Sequence, residues 1–210
     1  MDGSTGIPVM LDVRGRRCVV VGAGGVGARR ARVLSEAGAK VVVIALQVHP
    51  TARLAGQRVE ERAFEPEDLD GALLVVAATD IPEINDAVCE AAAERGVLVN
   101  RADDASKGDI AFMASHRDGP LTIAVHSGGA SANAAARIRD LIANDLDPAW
   151  AKLLALALPA RETIQQQVGD PAKRATLLRR LTDDQAMQAL KDGGESALKS
   201  LYADIMRDLA

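Results

Sequence analysis

The sequence is poor in aromatic residues, cysteine and histidine, and each shortage excludes a class of protein. Of its 210 residues only 2% are aromatic, and there are two cysteines and three histidines. The spacing of the cysteines indicates neither a disulfide framework nor a metal site. Cys18 lies in an apolar run, so we expect it to be a buried, small hydrophobic side chain. The core must be built mainly from Ala, Val, Leu and Ile.

Long hydrophobic runs and a strong net charge are also missing. No apolar stretch reaches the roughly 20 residues that a membrane-spanning helix needs, and residues 1–8 are too short and polar for a signal peptide. The net charge of −4 argues against general nucleic-acid binding. With 48% hydrophobic residues the chain can bury a substantial core. We therefore expect a soluble cytoplasmic protein that binds neither membranes nor nucleic acid.

The sequence does contain a glycine-rich motif near its start. An apolar, β-branched run is broken by Gly-x-Gly-x-x-Gly at Gly22, Gly24 and Gly27, and a helical pattern follows at once. In such motifs the first glycine permits a tight turn, the second lets the backbone approach a pyrophosphate, and the third lets helix and strand pack closely. The N-terminus of the helix would then face the phosphates. The motif predicts a dinucleotide site, with a merely structural turn as the alternative.

Strand and helix patterns alternate over the first half of the chain. Strands are predicted at 17–21, 40–46, 59–64, 73–78 and 97–100, with helices at 25–37 and 81–95. This order predicts the α/β class with a Rossmann-like, doubly wound parallel sheet. Further strands at 110–115 and 121–125 precede an Ala-rich helix at 132–145, and the chain is helical from 149. We therefore expect a dinucleotide-binding domain (1–112), a small α+β segment (113–148) and a helical C-terminal domain (149–210).

The end of the second predicted strand lacks the residue that usually contacts the adenosine ribose. NAD sites carry Asp or Glu about 20 residues after the glycines, whereas this chain reads Ile44-Ala45-Leu46-Gln47. Neither that acid nor an Arg for a 2′-phosphate is present, which by itself leaves NAD and NADP open. Because no partner for a 2′-phosphate lies there, we expect a preference for NAD. The predicted cofactor-binding residues are Gly22, Gly24, Gly25, Val26, Gly27, Leu46 and Gln47.

Further segments combine with the glycine motif into a specific set. They are 77–80 with Asn85, 99–103, 119–125, 127–131, and 43–46 with Pro50. In this order and spacing the chain resembles the precorrin-2 dehydrogenase/sirohydrochlorin ferrochelatase family, and most of all the N-terminal half of siroheme synthases. The resemblance implies NAD-dependent oxidation of the tetrapyrrole precorrin-2 to sirohydrochlorin. It also implies Fe²⁺ insertion in many members, and a homodimer built through 113–148.

The resemblance places the catalytic aspartate of the family, which serves both steps, at Asp103. A carboxylate there could accept a proton as hydride leaves for the nicotinamide. It could also take pyrrole N–H protons during metal insertion. Asp104 is the rival, because the sequence alone does not say which carboxylate points inward. A polar turn capping the residues from Ala105 onward is the structural alternative for the pair.

The resemblance also marks a substrate-binding group around Ser127 and Gly128. Ser127 or Ser131 could instead cap the following helix. His126 departs from the family pattern; it could contact a substrate carboxylate or the metal, or be purely structural. This departure leaves the chelatase step open, and we predict no resident metal site. Because the substrate carries many carboxylates, basic residues near the motifs could bind it: Arg101, Lys107, Arg117, Arg137 and Arg139.

Two functions of different classes remain. One is the enzyme implied by the resemblance. The other is a non-catalytic module that carries or senses NAD or a tetrapyrrole. A carrier needs no base, so the presence of Asp103 together with the glycine motif favours the enzyme.

Overall fold

The computed structural model describes residues 6–48 and 58–208. The chain forms two compact units. Unit 1 contains the residues up to Phe112 together with Ser127–Ser131, and unit 2 contains Met113–His126 and the residues from Ala132 onward. The division of the chain into 1–112, 113–148 and 149–210 stays a prediction. Pro50, part of the motif set, lies outside the described residues.

Unit 1 is built on a parallel sheet with strand order β3-β2-β1-β4-β5. The strand order reverses between β1 and β4, and open α/β sheets bind ligands at such a point. The predicted strand 59–64 is shorter than expected, since the chain turns into a 3₁₀ helix at Pro66–Leu69. In chain order the elements are β1 (Arg17–Ala23), α1 (Gly25–Glu36), β2 (Lys40–Val48), β3 (Arg58–Glu60), β4 (Ala72–Ala77), α2 (Pro82–Arg95) and β5 (Leu98–Arg101).

Helices cover both faces of this sheet. On β1, Cys18 belongs to the buried cluster that includes Ala31 of α1, whereas Val19 belongs to the cluster that includes Val88 of α2. Successive side chains of a strand point to opposite faces, so β1 must be apolar throughout. The predicted doubly wound sheet is therefore confirmed. Burial raises the pKa of the Cys18 thiol to about 11, as befits a small core side chain.

Unit 2 consists of an antiparallel hairpin and four helices. The helical part has its own core, in which the Tyr202 hydroxyl donates to the Leu181 carbonyl at 2.8 Å. None of the helices in the described ranges is long and apolar enough to cross a membrane. The elements are β6 (Ala114–Asp118), β7 (Leu121–Val125), α3 (Ala132–Asp145), α4 (Ala149–Gln167), α5 (Pro171–Arg180) and α6 (Asp184–Arg207), the last broken at Gly194.

The predicted bounds of the strand at 110–115 are wrong, because β6 spans Ala114–Asp118. The N–H groups of Asp109 and Ile110 both donate to the Val99 carbonyl, at 2.8 and 2.9 Å. Ile110 and Phe112 pack against the buried cluster on the α1 face of the sheet. The apolar composition of residues 110–112 predicts a strand, but these residues form a connecting segment whose side chains complete the core of unit 1.

Candidate functional site

A cavity of about 840 Å³ lies at the carboxyl ends of β1, β2 and β4. It sits where the strand order reverses, the expected position of a ligand in this fold. Of the predicted cofactor-binding residues, all except Gly27 line it. Its lining comes from the glycine loop, the end of β2, the segment after β3, and the turn and helix after β4: Val21–Val26, Ile44–Gln47, Arg62–Phe64, Ala78–Ile81, Glu83, Ile84 and Ala87.

The four glycines of the loop, which include Gly25, fall into two pairs. Gly22 has φ +102°, and a Cβ on it would lie 2.6 Å from the carbonyl carbon of Ala78. A Cβ on Gly27 would lie 2.9 Å from the carbonyl carbon of Gly22, so the fold itself requires both glycines. A Cβ on Gly24 or Gly25 would meet nothing within 4 Å. The space beside these two is open to the cavity, as the close approach of a bound ligand requires.

The N-terminus of α1 offers hydrogen-bond donors to this space. Gly24 is the N-cap residue, so no side chain caps the helix, and the first turn carries no acidic residue. The N–H of Ala28 donates to the Gly24 carbonyl at 2.9 Å, so the preceding N–H groups of the first turn have no partner within the helix. Free donors and the positive end of the helix dipole together favour an anion. These features fit the pyrophosphate of a dinucleotide.

A buried asparagine fixes the turn that lines the cavity after β4. Asn85 accepts at Oδ1 from the Thr79 N–H (3.1 Å) and the Thr79 hydroxyl (2.8 Å). Its Nδ2 donates to the Thr79 carbonyl at 3.1 Å. The pair explains why the motif set includes both residues: Asn85 satisfies the backbone of a loop that has left the sheet.

Asp103 follows β5, the neighbour of β4, and does not itself line the cavity. Its carboxylate accepts two hydrogen bonds from Arg101, from Nε at 3.0 Å and from Nη2 at 3.1 Å. The side chain of Asp103 is 36% exposed, whereas that of Arg101 is 3% exposed. The hydrogen bonds from Arg101 hold the pKa of Asp103 below its usual range. Asp103 is thus an ionised carboxylate, held by a buried guanidinium and open to solvent.

The side chain of Arg101, for which a substrate contact is predicted, is buried. Besides Asp103, its guanidinium donates to Asp86, and Lys107 lies 3.0 Å from the same carboxylate. The guanidinium thus binds two carboxylates of the chain itself, and its contact with the substrate stays a prediction. Arg101 therefore supports Asp103 and does not present itself at the surface.

Asp104 caps a short 3₁₀ helix at Ala105–Lys107. Its Oδ1 accepts from the Ser106 N–H at 3.0 Å and from the Ser106 hydroxyl at 2.6 Å, and these bonds lower the pKa of Asp104. The turn interpretation of the aspartate pair is confirmed for Asp104. Asp103 is the other member of the pair and has no such capping role.

Ser127 closes a tight loop before α3. Its hydroxyl donates to the Ser131 carbonyl at 2.9 Å and accepts from the Ser131 N–H at 3.0 Å. Gly128, with φ +65°, provides the left-handed backbone that the loop needs. Gly128 and His126 are exposed and Ser127 is half-buried. The substrate-binding roles of these three residues stay predictions.

Among the cavity residues that sequence reasoning missed is one with a positive charge, Arg62. It comes from the segment after β3 and lines the same cavity as Leu46 and Gln47. No local pattern marks it, because the link between this segment and the end of β2 is made only by the pairing of β3 with β2. Arg62 is the single basic residue among the described residues that line the cavity.

Comparison with known proteins identifies the family. The model of the family described as "Putative NAD(P)-binding" matches residues 9–114, half of the chain. The chain belongs to this family. This membership confirms the dinucleotide site that the glycine motif predicts, with NAD as the cofactor.

The chain is also similar to curated siroheme synthases. It is 36% identical to that of Methylobacillus flagellatus over 172 residues, which are 80% of this chain and 37% of that protein. It is 33% identical to that of Methylococcus capsulatus over 200 residues, 93% of this chain and 42% of that protein. The chain thus spans about two fifths of the length of these relatives.

A solved structure matches nearly the whole chain. The structure named "SirC, precorrin-2 dehydrogenase" matches 96% of this chain and 99% of its own, with 25% sequence identity and a TM-score of 0.74. This match confirms the Rossmann-like fold with its helical C-terminal part. Together with the siroheme synthases, it confirms the resemblance that the motifs indicated.

Proposed function

We propose that the chain oxidises precorrin-2 to sirohydrochlorin, with NAD as the hydride acceptor, in siroheme biosynthesis. The observation that carries the proposal is the pairing of an anion cradle with an ionised carboxylate. Gly24 and the uncapped start of α1 form the cradle at the end of β1. Asp103 follows β5, two strands away at the same edge of the sheet. The names of the relatives support precorrin-2 as the substrate.

The reaction removes one hydride and one proton from precorrin-2. NAD supplies the hydride acceptor. The glycine loop and the N-terminus of α1 would bind its pyrophosphate, and the backbone at Leu46 and Gln47 would line its adenosine side. Asp103 accepts the proton and releases it to solvent. Its low pKa makes it a weak base, but it also keeps the carboxylate deprotonated at neutral pH. Arg101 fixes the orientation of that carboxylate.

The substrate side of the proposal rests on the Ser127–Ser131 loop. This loop belongs to unit 1, the unit that contains Asp103. Gly128 and Gly129 have positive φ and no side chain, so a carboxylate-rich tetrapyrrole could approach this loop closely, and the Ser127 hydroxyl fixes the shape of the loop. We assign substrate contacts to Ser127 and Gly128.

We extend the proposal to Fe²⁺ insertion into sirohydrochlorin, the lyase step, because the curated relatives are named for siroheme. Fe²⁺ is a substrate here. Within the described residues, no three His, Cys, Asp or Glu side chains are grouped to hold a metal ion. Asp103 would receive the pyrrole protons that leave as the metal enters.

We also propose that the chain acts as a cytoplasmic homodimer, with α3 in the interface. Of the fourteen residues of this helix, Ala135 is the one that is buried. Ile138, Leu141 and Ile142 are exposed. Their spacing puts them on one face of the helix, so a dimer would cover an apolar stripe.

The experiment that tests the enzyme against a carrier compares two neighbouring alanine variants. Asp103→Ala should lower the turnover of precorrin-2 by roughly 10²–10⁴-fold, the usual loss for a general base. Its NAD affinity should stay unchanged. Asp104→Ala is the matched control, which loses a capping carboxylate and should keep most of its turnover. Both are measured by tetrapyrrole absorbance, with thermal unfolding as the check on folding.

Supplying sirohydrochlorin and Fe²⁺ to the same variants tests the second step. Loss of both activities in Asp103→Ala supports a single shared base. Loss of oxidation alone would show that metal insertion does not depend on Asp103. Full oxidation by Asp103→Ala, with loss in Asp104→Ala, would show that the other carboxylate is the base.

A further inference from the structure

The guanidinium of Arg62 has no terminal N–H left for a ligand. Its Nη1 donates to Asp68 Oδ2 at 2.8 Å and to the Ala63 carbonyl at 3.0 Å. Its Nη2 donates to Asp68 Oδ1 and to Glu60 Oε2, both at 2.5 Å. Each terminal nitrogen carries two hydrogens. All four are therefore used within the protein, and only the Nε–H remains.

The two carboxylates that bind Arg62 are themselves held in place. Asp68 is buried and accepts from the Glu65 N–H at 2.9 Å. Glu60 is partly buried and pairs with Arg58 at 2.9 Å on its other oxygen. Bonds to Asp68 and Glu60 raise the pKa of Arg62 further. Arg58 and Arg62 together balance the two carboxylates, so the network has no net positive charge for a phosphate.

This network lies at the part of the cavity where cofactor specificity is set. In dinucleotide-binding folds the end of the second strand contacts the adenosine ribose, and a nearby Arg accommodates the 2′-phosphate of NADP. Here Leu46 and Gln47 at the end of β2 line the cavity with Arg62, and β3 pairs Glu60 with Ile44 of β2. Arg62 thus stands where an NADP enzyme would place its phosphate-binding cation.

We propose that Glu60 and Asp68 make the site select NAD over NADP by withholding the N–H groups of Arg62 from the 2′-phosphate. The inference rests on the proposed NAD site and names the residues that set its specificity. A 2′-phosphate entering the site would find a single free N–H and two nearby carboxylates. The 2′-hydroxyl of NAD carries no charge, so the carboxylates do not repel it and it does not need several N–H donors.

Binding measurements with three Glu60 and Arg62 variants test this role. Glu60→Met removes both the charge and the acceptor, which frees one Nη2 hydrogen, whereas Glu60→Gln removes the charge and keeps an acceptor. Because a charge-assisted hydrogen bond is worth about tenfold in affinity, Glu60→Met should bind NADP about tenfold more tightly and NAD unchanged. Glu60→Gln should gain less. The double variant Glu60→Met/Arg62→Met should lose the gain, since it has no guanidinium.

Titration calorimetry of the full chain with NAD and NADP gives the answer. Glu60→Ala, with the same expectation, replaces Glu60→Met if methionine prevents folding. Wild-type protein that binds both cofactors equally overturns this inference and leaves the proposed function standing. A gain for NADP that persists in the double variant also overturns it. Wild-type protein that binds neither cofactor overturns the proposed function itself.

Discussion

Replacing Gly24 with aspartate should separate folding from cofactor binding at one position. Gly24 has φ −72° and ψ −174°, extended backbone that aspartate adopts freely, and a Cβ there meets nothing within 4 Å. Gly24 is the N-cap of α1, where aspartate is better than glycine by roughly a few tenths of a kcal/mol. The carboxylate also gains about 0.3–1 kcal/mol from the helix dipole. The free energy of unfolding should therefore stay unchanged or rise slightly.

The same carboxylate should prevent NAD binding. It would stand where the cradle receives the pyrophosphate. Two unit charges about 5 Å apart repel by roughly 3 kcal/mol at an effective dielectric constant of about 20. A factor of ten in affinity corresponds to about 1.4 kcal/mol, so even one phosphate charge reduces the affinity by about 100-fold. The side chain also competes with the phosphates for the N–H groups of the first turn.

Titration calorimetry measures the NAD affinity of the variant, and thermal unfolding measures its stability, so the two effects are separated. Gly27→Ala is the matched control, because its Cβ would run into the carbonyl group of Gly22. Overpacking of this kind costs about 1–3 kcal/mol of stability. Gly27→Ala should thus unfold more easily, whereas Gly24→Asp should fold normally and fail to bind. Wild-type NAD affinity in Gly24→Asp would refute the assignment of the cradle.

Two further predictions concern Arg101 and α3. Arg101→Met should let the pKa of Asp103 rise toward its ordinary value, so kcat/KM should begin to fall at higher pH on acidification than in wild type. The same substitution should lower the free energy of unfolding by about 1–2 kcal/mol at neutral pH. This is less than the loss for a fully buried ion pair, since the carboxylates of Asp86 and Asp103 reach solvent. A carboxylate whose pKa is lower in the folded state stabilises the fold at pH values above its unfolded-state pKa. This stabilisation is lost as the pH falls through the folded-state pKa. An unshifted pH profile contradicts this role. Leu141→Glu should convert a dimer to monomers by light scattering, and a wild-type monomer at micromolar concentration contradicts the proposed interface.

The parts of the fold that the sequence predicted correctly are those fixed by local chemistry. The glycine loop joins a buried strand to a helix, and the two glycines that the fold requires, Gly22 and Gly27, lie in this one short segment. The bounds of α3 agree with the predicted helix 132–145. In both cases the pattern that forms the element lies within the element itself.

The errors and omissions have a non-local cause. The apolar run at 110–112 has the composition of a strand, but the Ile110 N–H donates to the Val99 carbonyl, and the side chains of Ile110 and Phe112 pack against the core beside α1. The sequence predicts a substrate contact for Arg101 but not the burial of its guanidinium against Asp86 and Asp103, which lie on other segments or follow the strand. Arg62 reaches the cavity only because β3 pairs with β2. Tertiary contacts between distant segments decide each of these positions.

The most direct test of the central claim is to mix the wild-type chain with precorrin-2 and NAD and follow both products. The account predicts that reduced nicotinamide and sirohydrochlorin appear together in equal amounts, and that neither forms without NAD. Binding of the tetrapyrrole with no reduced nicotinamide would contradict the account and identify the chain as a carrier.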